Sequence, residues 1–351
     1  MEHAMRRGEV RNFGPVAGTG AARAIPGIGA ADLGEVVQLP NGSYVAVFGD
    51  CFGGDRVGSA PHYPSAAVPV KFDEHGRPEF GAPLTGPRGS RNPLFVPPRR
   101  ARGFNTLPSG SVALGDRTYM LVVGTHELKP DGGSWLVKVT DDPARGWKPV
   151  RGSWRPGDYA AGGQSQISGY QADDGYVYVV ADSFDRTRPV TLYRTDPRRF
   201  TDRSAWRPYV KSSDGRTGWG RPGQAPVAIS VTNFGELSFR QVDGAAVLAG
   251  FNVRNGPDGA VEIWVADSPT GIFQHGTMTV LMQQSDPHGS NFVPQNYGGY
   301  ILPGSTLDRM NIFASQWNTR ADEHGIPLGA PYNTQLVVAN LGQRSLNSQP
   351  L

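Results

Sequence analysis

The sequence predicts an all-β protein, a five-bladed β-propeller in a single domain, and three observations lead there. Short β-branched and aromatic runs are separated throughout by Gly, Pro, Asn and Asp, and few windows show helical periodicity. One kind of strand, an apolar run ending in small and then polar residues, recurs five times, at residues 44–50, 119–126, 176–182, 246–252 and 310–316. Their mean spacing of about 66 residues suits a propeller blade with loop insertions, so one domain accounts for all 351 residues.

In the first unit a strand opens at Asp32, the turn Asn41-Gly42 reverses the chain, and a second strand closes at Asp50. A hairpin of this kind brings both carboxylates to one end. Comparable turns precede the other four second strands (Leu114-Gly-Asp116, Ala172-Asp-Asp-Gly175, Val242-Asp-Gly244, Leu302-Pro-Gly-Ser305), and third strands follow at 66–72, 134–139, 190–194, 260–265 and 334–339. Residues 10–16 are expected to add an outer strand to the last blade, which removes two exposed sheet edges. Stretches 90–98 and 212–223 read as loops between blades. The expected division is a disordered or expression-derived N-terminus over 1–9, the propeller over 10–341, and a C-terminal tail over 342–351.

Composition narrows the function. The 47 Gly and 30 Pro mark a turn-rich chain, and 38% hydrophobic residues suffice for a packed core. A net charge of +3 arises from 34 basic and 31 acidic residues that are interspersed, and the run Arg99-Arg-Ala-Arg102 lacks the continuous basic face that nucleic acid requires. The single Cys51 excludes an intramolecular disulfide and multi-cysteine metal sites, and reads as a small buried hydrophobe. Seven scattered His argue against zinc, so no cofactor is expected, while a calcium site built from Asp and carbonyl oxygens stays open. No apolar run approaches the ~18 residues of a membrane span. The N-terminus lacks the apolar core of a signal peptide, so either a leader has been removed or export takes another route. Nothing in the sequence signals an oligomeric state.

In a propeller the first strands line the central channel and their starts converge on one mouth. That places Asp32, Asn105, Thr106, Gln164, Gln166, Glu236, Asn296 and Tyr297 together, with the second-strand ends Asp50, His126, Asp182, Asn252, Gln316 and Trp317 near the same face. Asp32 and Asp50 are the expected catalytic pair, because glycoside hydrolysis needs one carboxylic acid to protonate the leaving oxygen and one carboxylate to activate water. Against this stands the reading that Asp32 caps a turn and Asp50 ends a strand. Glu236 is either a third catalytic acid or the ion-pair partner of Arg240. Asp182 fits a turn role as well as substrate contact. Asn105, His126, Gln164, Gln166, Tyr297 and Trp317 are candidates for binding sugar hydroxyls or rings.

The motifs Ala31-Asp-Leu-Gly34, Phe48-Gly-Asp-Cys-Phe-Gly53, Gly235-Glu-Leu-Ser238, Ala266-Asp-Ser-Pro-Thr-Gly271 and Tyr297-Gly-Gly-Tyr-Ile-Leu-Pro303 together resemble an actinobacterial and phage family. It was long a domain of unknown function and is now associated with endo-D-arabinanases. The resemblance covers about residues 25 to 341. It implies a five-bladed propeller and inverting hydrolysis of the D-arabinan of mycobacterial arabinogalactan and lipoarabinomannan, by a secreted or phage-borne protein. The family's acids fall on Asp32 and Asp50, and analogy with other five-bladed glycosidases favours Asp32 as the base and keeps Glu236 in play. Cys51 departs from the pattern, where Thr is expected. Two rivals stand: a non-catalytic lectin or adhesin propeller, which the dissimilar strand ends oppose, and an exo-acting arabinofuranosidase.

Overall fold

The structure, a computed structural model, describes residues 4–88, 92–254 and 259–342. The tail expected from residue 342 therefore lies almost wholly outside the described residues. Among them are twenty β-strands, six short 3-10 turns and no α-helix. No helix is long and apolar enough to cross a membrane.

The strands are β1 (Val10–Gly18), β2 (Ala30–Gln38), β3 (Tyr44–Phe52), β4 (His62–Phe72), β5 (Pro78–Phe80), β6 (Asn105–Leu114), β7 (Arg117–Thr125), β8 (Ser134–Lys138), β9 (Gln166–Gln171) and β10 (Val177–Asp182). They continue as β11 (Pro189–Thr195), β12 (Arg207–Lys211), β13 (Thr217–Trp219), β14 (Ala228–Val242), β15 (Ala245–Asn252), β16 (Ala260–Ala266), β17 (Thr277–Gln283), β18 (Asn296–Ile301), β19 (Met310–Trp317) and β20 (Tyr332–Ala339).

Consecutive strands pair antiparallel in meanders, β2-β3-β4-β5, β6-β7-β8, β9-β10-β11-β12-β13, β14-β15-β16-β17 and β18-β19-β20; the first and the last belong to separate four-stranded sheets, while the middle three join into one sheet of twelve through a parallel β6–β9 pairing and an antiparallel β11–β14 pairing. β1 returns across the whole chain length to pair with β20, with Val10 opposite Ala339, so the N-terminal strand covers the last edge as expected. Within the segment 1–9, the Gly8 amide donates to Asn340 O at 2.7 Å and the Asn340 amide to Glu9 O at 3.0 Å. The stretch 212–223, expected to be a loop, instead carries a hairpin turn and β13. Its Ser-Ser-Asp-Gly chemistry closes a turn within one meander, where Gly215 donates to Ser212 O, and does not connect two meanders.

The core explains why the strands read as nearly continuous apolar runs. Phe48 and Val36 of the first meander share a cluster with Phe313 and Leu336 of the last. Val45 and Val47 meet Met120 and Trp135 of the second. Leu121 and Leu136 meet Ile167 and Val179, Val180 and Leu192 meet Phe239 and Leu248, and Val247 and Ile263 meet Ile312 and Val337. Each meander thus buries both faces, and burial on both faces removes the apolar/polar alternation of a half-exposed sheet. The first strands β6, β9, β14, β18 and β2 pack in turn against one another, and β6 also meets β3 and β4.

Candidate active site

A cleft of about 920 Å³ opens where these first strands begin, lined by Asp32 and Leu33 of β2, Leu107 and Pro108 of β6, Gln166 of β9, Glu236 of β14, and Asn296 and Tyr297 of β18. Four of the five first strands break register there, between Leu33 and Glu35, Pro108 and Ser111, Gly235 and Ser238, and Tyr297 and Tyr300. Leu33 and Glu236 take positive φ (63° and 50°) inside these bulges. Bulges bend a strand and re-aim side chains, and non-glycine residues in the left-handed region cost about 1–3 kcal/mol each, so the chain stores strain where it turns its acids into the cleft.

Asp32 is 8% exposed and its Oδ2 accepts a 2.7 Å hydrogen bond from the Tyr297 hydroxyl. Burial pushes its carboxyl well above the usual range, and the charges of Asp50 and Glu236 add to this against the Tyr297 bond. Across the β2–β3 ladder Asp32 stands opposite Gly49, which puts Asp50 at the same end, as the hairpin expectation required. Asp50 has φ +39° at a ladder irregularity, and its side chain is 23% exposed. His62 Nε2 lies 2.7 Å from Asp50 Oδ1. Cys51, buried next to them, has its thiol pushed up by burial and behaves as a small apolar residue.

Glu236 is not the partner of Arg240. It binds Arg186 through Nε and Nη2, and Arg186 lies over the rings of Phe251 (5.0 Å) and Tyr297 (5.5 Å). A Cβ on Gly235 would stand 2.7 Å from Arg186 Nε, so glycine here lets the guanidinium lie against the strand. Arg240 pairs instead with buried Glu35 at 2.9 Å, deeper between the strands. The pattern along one strand offered the nearer charge, whereas the fold brings a cation from fifty residues away onto Glu236.

Other candidates are divided. Gln166, Tyr297 and Trp317 line the cleft, and Trp317 stands edge-on to Tyr332 at 6.0 Å. Asp182 does not line it and takes no turn role. It ends β10 opposite Gln166, is fully buried, and is pushed well above the usual carboxyl range by burial and then by the charge of Glu236. Asn105, His126 and Gln164 do not line the cleft. Asn105 opposes Thr125 at the start of β6, His126 is exposed in a turn with Lys129, and Gln164 is buried with its carbonyl accepting from Arg203. Sequence reasoning missed His62, Arg186 and Tyr332. His62 opens a third strand at the same end as Asp32 and Asp50 but one strand farther from the cleft than the first- and second-strand ends considered, and Arg186 sits in the turn after Asp182. Among the described residues no group of three or more His, Cys, Asp or Glu is placed to hold a metal ion.

Fold and cleft define an all-β protein of packed antiparallel meanders with a cleft lined by Asp32, Asp50, Asp185 and Glu236 at the starts of its first strands. The chain belongs to the family described as Domain of unknown function (DUF4185), which matches residues 18–337. A Mycolicibacterium smegmatis protein described as an uncharacterized 35.9 kDa protein in the asd 3′ region is 39% identical over 323 residues, covering 88% of this chain and 93% of the relative. Among solved structures, a candidate hydrolase of Bacteroides ovatus superposes with a TM-score of 0.58 at 16% identity, over 94% of this chain and 90% of that one. An α-L-arabinofuranosidase of Podospora anserina, in complex with cellotriose, does so with a TM-score of 0.52 at 12% identity, over 95% and 97%. At these identities the likeness is one of fold.

Proposed function

We propose that the protein is an endo-acting, inverting glycoside hydrolase on α-linked D-arabinofuranosyl polymers, built as a five-bladed propeller of which the five meanders are the blades. The observation that carries this reading is the asymmetry of the acid pair. Asp32 is buried, hydrogen-bonded by Tyr297 and biased toward its protonated form, and Asp50 beside it is more exposed and held by His62. A protonated carboxyl beside an open carboxylate is what acid and base catalysis of glycoside cleavage needs.

Asp32 donates its proton to the glycosidic oxygen as the bond to the anomeric carbon breaks. Asp50 removes a proton from a water that attacks that carbon from the opposite face. The products are a new reducing end of inverted configuration and an alcohol, and proton exchange with solvent resets both acids. This gives Asp32 the acid role, opposite to the analogy with other propeller glycosidases, because burial favours its neutral form. Inversion needs carboxyl groups ~6.5–9.5 Å apart, leaving room for the water.

The fold shared with an α-L-arabinofuranosidase supports a furanoside substrate. D-arabinan is the substrate that the resemblance of the motifs around Asp32, Asp50 and Tyr297 implies. Endo action is in keeping with a second hollow of about 530 Å³, bounded by Asp131, Asp158, Thr187 and Arg188, that shares Asp185 with the cleft and offers room for further sugar units. The test is incubation with mycobacterial arabinogalactan, with product sizes and anomeric configuration read by chromatography and NMR. Oligosaccharides of inverted configuration are expected; saturable binding without cleavage would establish the lectin reading, and release of single arabinose units the exo one.

A further inference from the structure

Asp50 is oriented by a residue on a different strand. His62, the first residue of β4, stands opposite Phe52 in the β3–β4 ladder, and its ring stacks on Phe52 at 4.9 Å and 18°. Phe52 meets Tyr332 at 6.1 Å and 63°, and Tyr332 meets Trp317, so an aromatic row along the cleft wall fixes the plane of the imidazole. The His62 carbonyl also accepts from the Arg88 amide at 2.6 Å. With ring and backbone both held, Nε2 aims at Asp50 Oδ1, and Oδ1 alone is engaged. A carboxylate oxygen only accepts, so Nε2 carries the proton in this contact.

We propose that His62 is the positioning residue of the catalytic base: its Nε2–H holds one oxygen of Asp50 so that the other meets the attacking water. The proposal rests on the reading of Asp50 as base. Geometry of this kind matters because a general base contributes about 10²–10⁴ to rate only when its lone pair is aligned with the proton it removes. His62 does not line the cleft, so its loss acts on turnover and leaves substrate binding alone.

The experiment compares wild type, Asp50→Asn, His62→Ala, His62→Gln and His62→Asn on an α-D-arabinofuranosyl oligosaccharide, with kcat, KM and Tm for each. The Gln amide reaches the position of Nε2, whereas the Asn amide reaches only that of Nδ1. Expected are a fall in kcat of about 10–100-fold for His62→Ala with KM within about twofold, recovery of most of it by Gln, and none by Asn. Wild-type kcat in His62→Ala, with Asp50→Asn inactive, overturns the proposal and leaves the enzymatic reading standing. If the Ala variant does not fold, equal kcat for Gln and Asn variants of matched Tm overturns it as well. A wild type inactive on every furanoside glycan sinks both.

Discussion

Two ion pairs anchored four residues apart on β14 differ in how many partners the arginine engages. Arg240 is the more heavily bonded: Nη1 donates to Ser168 Oγ (2.9 Å) and Phe239 O (2.8 Å), and Nη2 to Glu35 Oε1 (2.9 Å) and Ser111 Oγ (2.7 Å). It ties β2, β6, β9 and β14 together between the packed strands, and Glu35 is buried at 2% exposure. Among the described residues the Arg186 guanidinium hydrogen-bonds Glu236 Oε1, is a third exposed, and lies on the ring of the tyrosine that donates to Asp32. The same chemistry rivets the fold when both terminal nitrogens bridge several strands, and serves the site when the guanidinium lies on ring faces that line the cleft.

The sharpest way to break this contrast is at the acids themselves. Asp32→Asn and Asp50→Asn should each lower kcat on arabinan by about 10²–10⁴-fold while folding normally, read by initial rates and circular dichroism. Full activity in either would remove that residue from the mechanism. Arg240→Met leaves Glu35 buried without its cation, so it should destabilise the protein by about 3–5 kcal/mol in urea titration, with kcat of the folded fraction within about twofold. Arg186→Met should show the reverse balance, a loss of about 10–100-fold in kcat with a smaller fall in Tm, because it frees Tyr297 and uncovers Glu236 beside Asp32. If the two variants lose stability and activity in equal proportion, the distinction between rivet and site fails. Trp317→Ala should raise KM about 2–10-fold through lost ring contact, with kcat little changed.

A smaller effect sharpens the comparison from the stability side. Asp32's carboxyl is raised in the folded state, so the native protein holds its proton more tightly than the unfolded chain. Stability from this group is fully present below the unfolded value near 3.8 and falls as pH rises toward the folded one. Asn mimics the protonated form, so Asp32→Asn should raise Tm at pH 7 by a few degrees, and the gain should vanish near pH 4. A variant less stable than wild type at pH 7 would show that Asp32 is not held at a cost.

Much of the fold was legible. The recurring second strands coincide with β3, β7, β10, β15 and β19 within one or two residues at each end, because turn chemistry at Asn41-Gly42 or Val242-Asp-Gly244 and apolar runs are local signals. Asp32, Gln166, Glu236 and Tyr297 reach the cleft because strand starts converge whatever the side chains are. His126 and Asn105 were misplaced by the same rule: a bulge or a tight turn at a strand end redirects a side chain, and four bulges lie in the first strands alone.

By itself the sequence determined the strands, their fivefold recurrence, and a hairpin that puts Asp32 and Asp50 at one end, all set by residues within a few positions of one another. Only the tertiary structure decided what surrounds those acids. Tyr297 meets Asp32 from 265 positions away, Arg186 meets Glu236 from 50, and His62 reaches Asp50 from the third strand of its own meander. Hydrogen-bond partners and desolvation depend on what the folded chain packs around a group, and that packing sets a protonated acid beside an open one.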